Sequence, residues 1–226
     1  MCVIESIKRT HEDDATPVVL ERSRRYGGLT VPPARGFTFM MKPEFPYSVA
    51  MEIAVEIMNR LRLACERLVV AGSLRRQRLT VGDIELLYIP RVEERGDPGD
   101  MFARRTVNLV DIEIATMERE GVLVRRKNTL GREMFGSKNK LMVHVASGIR
   151  VDLFSTTVAS WWNYLVCRTG PAELNERICC AAKAIGWKWR PYEAGFARGG
   201  EMRAMGSEEE VFAFVGLAYM RPGYRV

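Results

Sequence analysis

Apolar residues along the chain follow two kinds of spacing, one typical of helices and one typical of strands. Between residues 46 and 66 they recur every three or four positions, at Val49, Ile53, Ile57, Leu61 and Ala64, which predicts an amphipathic helix. Residues 107–120 return to helical spacing. Short apolar or alternating runs, typical of strands, occupy residues 67–71, 83–89, 122–125, 141–145 and 149–154. The pattern therefore predicts a small sheet with helices packed against it.

The C-terminal third predicts a smaller group of elements. A helix opens at Trp161 and runs toward Leu165, and a second covers residues 172–185, where Gly186 ends it. Short strands are expected within residues 192–205 and a final helix over residues 208–215. Core packing is the expected role for most of the four tryptophans, because indole rings bury large apolar areas.

These elements predict an α/β protein, more broadly α+β, in which a mixed sheet is flanked by helices and followed by a small α+β subdomain. We expect three regions: an extended or partly ordered arm over residues 1–45, a central region over 46–160, and the C-terminal subdomain over 161–226. Within the charged residues 91–105, the turn-forming residues at 96–100 predict a loop.

The stretch from residue 67 to residue 78 predicts a phosphate pocket. An apolar strand ends at Gly72-Ser73, a turn small enough for a polyphosphate to approach the backbone. We expect Ser73 to cap a helix beginning at Leu74, whose unpaired N–H groups would face an anion. Arg75, Arg76 and Arg78 would add charge-assisted donors.

Three carboxylates interrupt apolar strands. Asp83 and Glu85 follow Gly82 and, two positions apart on one strand, project from the same side. Asp152 stands within the alternating residues 149–154. Acids on a strand are usually a solvated face, but an unpaired acid inside an apolar strand is costly. Oxygen ligands of this kind suit Mg²⁺ or Mn²⁺, and beside a phosphate pocket they favour nucleotidyl transfer.

Five segments together resemble the signature of the family X DNA polymerases, the DNA polymerase beta-like nucleotidyltransferases. They are the motifs at residues 72–76 (GSLRR), 82–85 (GDIE) and 150–152 (RVD), the segment 162–175 with its Thr-Gly turn, and the segment 207–222. The last is similar to the closing motif of the nucleotide-selecting subdomain. The resemblance runs from about Pro46 to the C-terminus.

The resemblance implies a nucleotidyltransferase palm over residues 46–160 and a thumb-like subdomain over 161–226. It implies that two divalent cations are held by Asp83, Glu85 and Asp152, with Asp152 nearest the primer hydroxyl. It also implies a nucleotide-binding set, with Asn175 near the minor-groove edge of the incoming base. That set is Gly72, Ser73, Arg76, Gly82, Thr169, Gly170 and Asn175.

Two departures from the family pattern change the expectations. Glu85 stands where the family has Asp, and its extra methylene suggests a preference for manganese. Cys167-Arg168 replaces the aromatic pair that helps the family exclude ribonucleotides, which leaves the choice of sugar open. Relatives carry an N-terminal lyase domain for which the chain has no room, so we expect a minimal form without lyase activity.

Charge and composition extend the prediction to partners. The formal net charge is +6 and the sequence pI is about 9.2, which fits an anionic partner only weakly. Basic residues cluster before the predicted strand that contains Asp152. A solvated loop and a contact with DNA phosphates are about equally expected there. The candidate DNA contacts are Arg126, Lys127, Lys138, Lys140 and Arg150.

We expect a soluble, intracellular monomer, located in the cytoplasm or nucleoid or encoded by a virus and active in its host cell. The five cysteines include no Cys-x-x-Cys, and no membrane contact is predicted. The expected partners are a DNA primer-template or gapped DNA and a deoxynucleoside triphosphate.

The sequence therefore predicts a DNA-directed DNA polymerase that fills short gaps in repair. Three alternatives stay open: transfer of nucleotides to RNA, protein or a small molecule, template-independent terminal transfer, and a nucleic-acid-binding protein with an inactive site. The intact carboxylates make the last the weakest.

Overall fold

The computed structural model describes residues 43–97, 99–128 and 130–225 and is a mixed α+β structure. The arm predicted for residues 1–45 lies outside the described residues apart from its last three. The α-helices are α1 Tyr47–Leu61, α2 Gly72–Arg75, α3 Leu109–Arg119, α4 Trp161–Thr169, α5 Ala172–Ala184 and α6 Glu208–Phe214. Short 3-10 helices cover Arg62–Ala64 and Pro222–Tyr224.

The strands form one central sheet and three small ones. In chain order they are β1 Phe45–Pro46, β2 Cys65–Val70, β3 Thr80–Val81, β4 Asp83–Pro90, β5 Val92–Asp97, β6 Asp100–Asn108, β7 Leu123–Arg125, β8 Asn139–His144, β9 Arg150–Ser155, β10 Lys188–Trp189, β11 Gly195–Arg198 and β12 Glu201–Ala204. The central sheet has the order β2-β4-β9-β8-β7. Its β4–β9 pair is parallel and its other pairs are antiparallel.

The two faces of β4 have different environments because successive side chains point to opposite sides of a strand. Ile84, Leu86 and Tyr88 are fully buried in the main core, which also contains apolar residues of α1 and α3. Leu87, on the other face, packs with Phe154 and with Trp161 of α4 in a second cluster. Helix α4 therefore covers one end of this second face, and the carboxylates lie on the same face at the other end.

The C-terminal elements have an apolar core of their own. Ile178 of α5, Phe196 of β11 and Phe212 of α6 are completely buried there, and Trp189 is 4% exposed. The four predicted C-terminal features, α4, α5, the short strands and α6, are confirmed. Trp161 and Trp189 are buried and the other two tryptophans are partly buried against apolar clusters, as predicted.

Two predicted elements differ from the structure. The first helix ends at Leu61 rather than near residue 66, Ala64 lies in the following 3-10 turn, and Val49 is 40% exposed. Of the charged residues 91–105 only a loop at 96–100 was predicted, whereas the structure places most of them in the strands of the β5–β6 hairpin. This hairpin alternates charged residues, with Glu94 3.9 Å from Arg104 across the strands, so it lacks the apolar alternation that indicates a strand.

Within the described ranges, none of the helices combines the length and the apolar character that a transmembrane segment requires.

Candidate active site

The parallel pairing of β4 and β9 brings the predicted carboxylates together. Glu85 is paired directly with Asp152, and Asp83 is paired with Arg150. Paired residues of neighbouring strands are about 4.8 Å apart and share a face, while Asp83 and Glu85 are about 6.6 Å apart along one strand. The three acids predicted from sequence therefore occupy one edge of one sheet face.

Burial disfavours the charged forms of two of these carboxylates, Glu85 and Asp152. Burial raises the pKa of Glu85 to about 8, and the neighbouring carboxylates of Asp83 and Asp152 contribute to the rise. Arg168 and Arg76 act in the opposite direction. Burial also raises the pKa of Asp152, which is 4% exposed, although the charge of Arg126 opposes the rise. The folded protein thus holds acids whose charges are not fully compensated by its own side chains.

Helix α2 lies directly against Glu85. Gly72 has a φ of +58°, and a Cβ atom added there would lie 2.5 Å from Glu85 Oε2. The backbone N–H of Ala71 donates to the carbonyl of Glu85 at 2.7 Å, which fixes the turn to the strand. Gly72 is therefore required by both its backbone conformation and the close approach of the carboxylate.

Ser73 does not cap α2, contrary to the prediction. The helix begins two residues earlier than predicted, at Gly72, its N-cap is Ala71, and no side chain caps it. Ser73 is a half-buried residue inside the helix, and Gly82 lies in a half-buried bend immediately before β4. The predicted strand, turn and short basic helix are present, but the turn is shorter than expected.

The arginines of the pocket connect α2 to the end of α4. Arg76 Nη1 donates to the carbonyl of Thr169, and it would lie 3.3 Å from a Cβ atom on Gly170. Arg75 Nη1 donates to Thr169 Oγ1 at 2.6 Å, where Thr169 is completely buried. The structure thus joins the predicted phosphate residues to the predicted Thr-Gly turn.

Asn175 lies in the first turns of α5, close to the same turn. Its Nδ2 donates to the carbonyl of Cys167 at 2.9 Å. Its Oδ1 is buried and makes no hydrogen bond to any described residue. The side chain is therefore held in one orientation with an acceptor to spare.

Arg126 is the closest basic residue to the carboxylates. Its Nη2 donates to Asp152 Oδ1 at 2.6 Å, and the two side chains are 16% and 5% exposed. Arg150, the first residue of β9, projects from the same face as Asp152 two positions away. Its charge, like that of Arg126, opposes the rise in the pKa of Asp152.

Lys140 was predicted as a DNA contact and that prediction is wrong. It is 1% exposed, with Nζ 2.9 Å from both the carbonyl of Gly136 and Asp111 Oδ1. The ammonium group of Lys140 is therefore not accessible to a phosphate. Lys127 and Lys138 are both exposed.

From the sequence, Arg168 was noted only because it stands where the family pattern has an aromatic residue, and its contacts were not predicted. Its Cζ lies 3.5 Å from the centroid of the Phe154 ring and 5.4–5.6 Å from those of Tyr192 and Tyr164. Phe154 is two residues beyond Asp152 on the same face of β9. Arg168 therefore holds a positive charge close to the carboxylate edge, and the charged residue within an otherwise apolar helix was the available signal.

The donor chemistry of this edge fits a divalent cation held by oxygen atoms, because Asp83, Glu85 and Asp152 provide only carboxylates. Burial raises the pKa of Glu85, and a bound cation would relieve the repulsion from Asp83 and Asp152 that adds to this rise. In the part of the chain that the structure describes, however, no three acidic, thiol or imidazole side chains converge into a ready-made metal site.

Comparison with known proteins bears on the C-terminal region. Residues 164–226 match the family model described as DNA polymerase beta thumb. This match supports a family X polymerase-like protein and is confined to the C-terminal region. It covers neither β4 nor β9, which carry the carboxylates. No curated protein matches the chain significantly.

Proposed function

We propose that this family X polymerase-like chain is a DNA-directed DNA polymerase that adds deoxynucleotides to a primer 3′ hydroxyl, acting in short-gap repair. The observation that carries the proposal is the parallel register that pairs Glu85 with Asp152, with Asp83 on the same edge. The thumb match at residues 164–226 supports the polymerase assignment independently. Polymerase chemistry needs both an acidic edge and a nucleotide-holding subdomain beside it.

The chain's own residues divide the work of binding and orientation. Asp152 would face the primer 3′ hydroxyl, since it lies on β9, the strand that begins at the candidate DNA contact Arg150. Arg76, Ser73 and the backbone at Gly72 and Gly82 would hold the triphosphate, and donors of this kind bind phosphate oxygens strongly. The turn at residues 169–170 would lie against the sugar, and Asn175 would accept a hydrogen bond from the base edge with its spare Oδ1.

Asp83, Glu85 and Asp152 would hold two divalent cations, Mg²⁺ or Mn²⁺. Such cations neutralise negative charge on the phosphates and make the attacking hydroxyl a better nucleophile. The protein contributes the fixed strand register that places the three ligand residues on one edge of the sheet.

Primer extension tests the proposal. A labelled primer is offered on one-nucleotide-gapped, open-template and single-stranded DNA with each deoxy- and ribonucleotide, in Mg²⁺ and in Mn²⁺. We expect incorporation that follows the template, that is strongest at the gap, and that Asp152→Ala abolishes. Glu133→Ala removes an exposed acid outside the site and serves as the matched control.

Two results would redirect the assignment. Incorporation on single-stranded DNA without regard to template would indicate terminal transfer. Failure on every DNA substrate, with nucleotide still bound, would overturn the polymerase assignment in favour of a nucleotidyltransferase that uses RNA, protein or a small molecule as acceptor.

A further inference from the structure

Arg126 occupies a carboxylate oxygen that the proposed reaction needs. The residue follows β7, and its backbone N–H donates to the carbonyl of Leu141 at 3.0 Å. Leu141 of β8 is paired with Asp152 of β9, so the side chain of Arg126 reaches the acid across β8. Its Nη2 then donates to Asp152 Oδ1 at 2.6 Å.

A cation and the guanidinium compete for the same oxygen. Asp152 is almost completely buried, and a buried charge without a partner is costly, so Arg126 stabilises the carboxylate when nothing else is bound. The same contact keeps the acid turned toward β7.

The surroundings of Arg126 provide a means of releasing it. The side chain is 16% exposed, and its Nε is buried without a hydrogen-bond partner among the described residues. A phosphate that approaches the exposed part of Arg126 would meet a guanidinium whose donors are only partly used, and Arg binds phosphate as well as carboxylate in a bidentate manner.

We propose that Arg126 is a latch that couples DNA binding to assembly of the carboxylate site. In the DNA-free protein it holds Asp152 Oδ1, and a backbone phosphate of the DNA draws the guanidinium away so that Asp152 can join Asp83 and Glu85. This proposal rests on the proposed function. Arg126 acts here through Asp152 and is a positioning residue.

Such a latch makes DNA and divalent cations bind cooperatively, because coupling between two ligands is reciprocal. The test measures Mn²⁺ binding by electron paramagnetic resonance at pH 8.5, without nucleotide. Free protein is compared with its complex with a primer-template whose primer ends in a dideoxynucleotide, after subtraction of Mn²⁺ bound by DNA alone. For wild type we expect DNA to tighten Mn²⁺ binding by about tenfold.

Arg126→Met and Arg126→Gln remove the charge and should bind Mn²⁺ tightly without DNA, with little further gain when DNA is added. Arg126→Lys keeps a positive charge and should restore most of the coupling. The matched control is Arg125→Met, because Arg125 is the preceding residue but pairs with Glu118 at 2.7 Å instead of with Asp152. Its coupling should equal that of wild type. Circular dichroism establishes that each variant is folded.

Different results would overturn the latch and the proposed function. Wild type that extends primers, while the folded Met and Gln variants bind Mn²⁺ as weakly as wild type and gain as much from DNA, overturns the latch alone. Loss of Mn²⁺ binding in those variants also overturns it, since Arg126 would then be a structural support. Wild type that shows the coupling but never incorporates nucleotide overturns the proposed function alone.

Discussion

Arg75 and Glu208 form a two-pronged ion pair between α2 and α6, with Nη1–Oε1 and Nη2–Oε2 distances of 2.7 and 2.9 Å. The residues are 133 positions apart in sequence. Glu208 also lies 3.5 Å from Arg225, which is 1% exposed. One buried carboxylate therefore connects the helix of the candidate phosphate pocket to the thumb-like region and the C-terminal segment.

We predict that Glu208→Gln destabilises the protein by about 3 kcal/mol, because two arginines lose the charge that compensates their burial. Urea unfolding followed by circular dichroism measures the loss. Glu209→Gln, one residue along the same helix and exposed, is the control and should change the free energy of unfolding by less than about 0.5 kcal/mol. Equal stability of the two variants would mean that the pair contributes nothing net.

The same carboxylate gives the protein an acid-sensitive stability. Burial alone would raise the pKa of Glu208, but the hydrogen bonds and charge of Arg75, assisted by Arg225, hold it below its ordinary value of 4.5. A lowered folded pKa gives stability that is complete above the unfolded pKa and is lost as the pH falls through the folded value. We expect the melting temperature of wild type to fall more steeply below about pH 5 than that of Glu208→Gln. Parallel curves from pH 7 to pH 3 would contradict this.

The arrangement of the carboxylates was predictable because it depends on local pattern. Alternation along residues 83–89 and 149–154 predicts which side chains share a face, and three acids within apolar strands are conspicuous. The sequence also predicted α4, α5 and α6, whose apolar spacing and terminal glycines are visible locally. The family resemblance supplied the rest of the expected site.

What could not be predicted depends on partners far apart in sequence. Lys140 looks like a surface cation until Asp111 and the fold around Gly136 enclose it. The contact of Arg126 with Asp152 joins the residue after β7 to β9. It depends on the antiparallel pairing of β8 and β9, which places Leu141 beside Asp152. The β5–β6 hairpin is formed by backbone pairing of largely charged segments, so the sequence there shows no apolar periodicity that would predict strands.

Gly72 should tolerate no side chain. Gly72→Ala places a Cβ atom 2.5 Å from Glu85 Oε2 at a φ of +58°, so we expect a backbone cost of about 1–2 kcal/mol together with displacement of Glu85 and loss of nucleotide incorporation. Gly131→Ala is the matched control, because Gly131 has a φ of +72° and open space around its added Cβ. It should show the backbone cost without the loss of incorporation. Comparable activity in the two variants would contradict the role given to the contact.

Glu85 is expected to set the preference for the metal ion. Its side chain is one methylene longer than the aspartate of the family pattern and lies against Gly72, so the carboxylate has little room to withdraw. We predict faster incorporation by wild type in Mn²⁺ than in Mg²⁺, and a shift toward Mg²⁺ in Glu85→Asp. Rates of single-nucleotide insertion in both ions measure the ratio. An unchanged ratio in the variant would refute the assignment of metal preference to this residue.

Lys138 and Lys140, two positions apart, should have separate functions because one is exposed and the other is 1% exposed. Lys138→Ala should weaken binding to duplex DNA regardless of sequence and reduce the slope of log affinity against log salt by about 1. Lys140→Met should leave that slope unchanged but lower the free energy of unfolding by about 1–3 kcal/mol, since the carbonyl of Gly136 loses its hydrogen-bond donor and the carboxylate of Asp111 loses its cation. Fluorescence anisotropy across a salt series and urea unfolding separate the two effects. A reduced salt slope in Lys140→Met would mean that this lysine reaches DNA after all, and the strand around it would have to open when DNA binds.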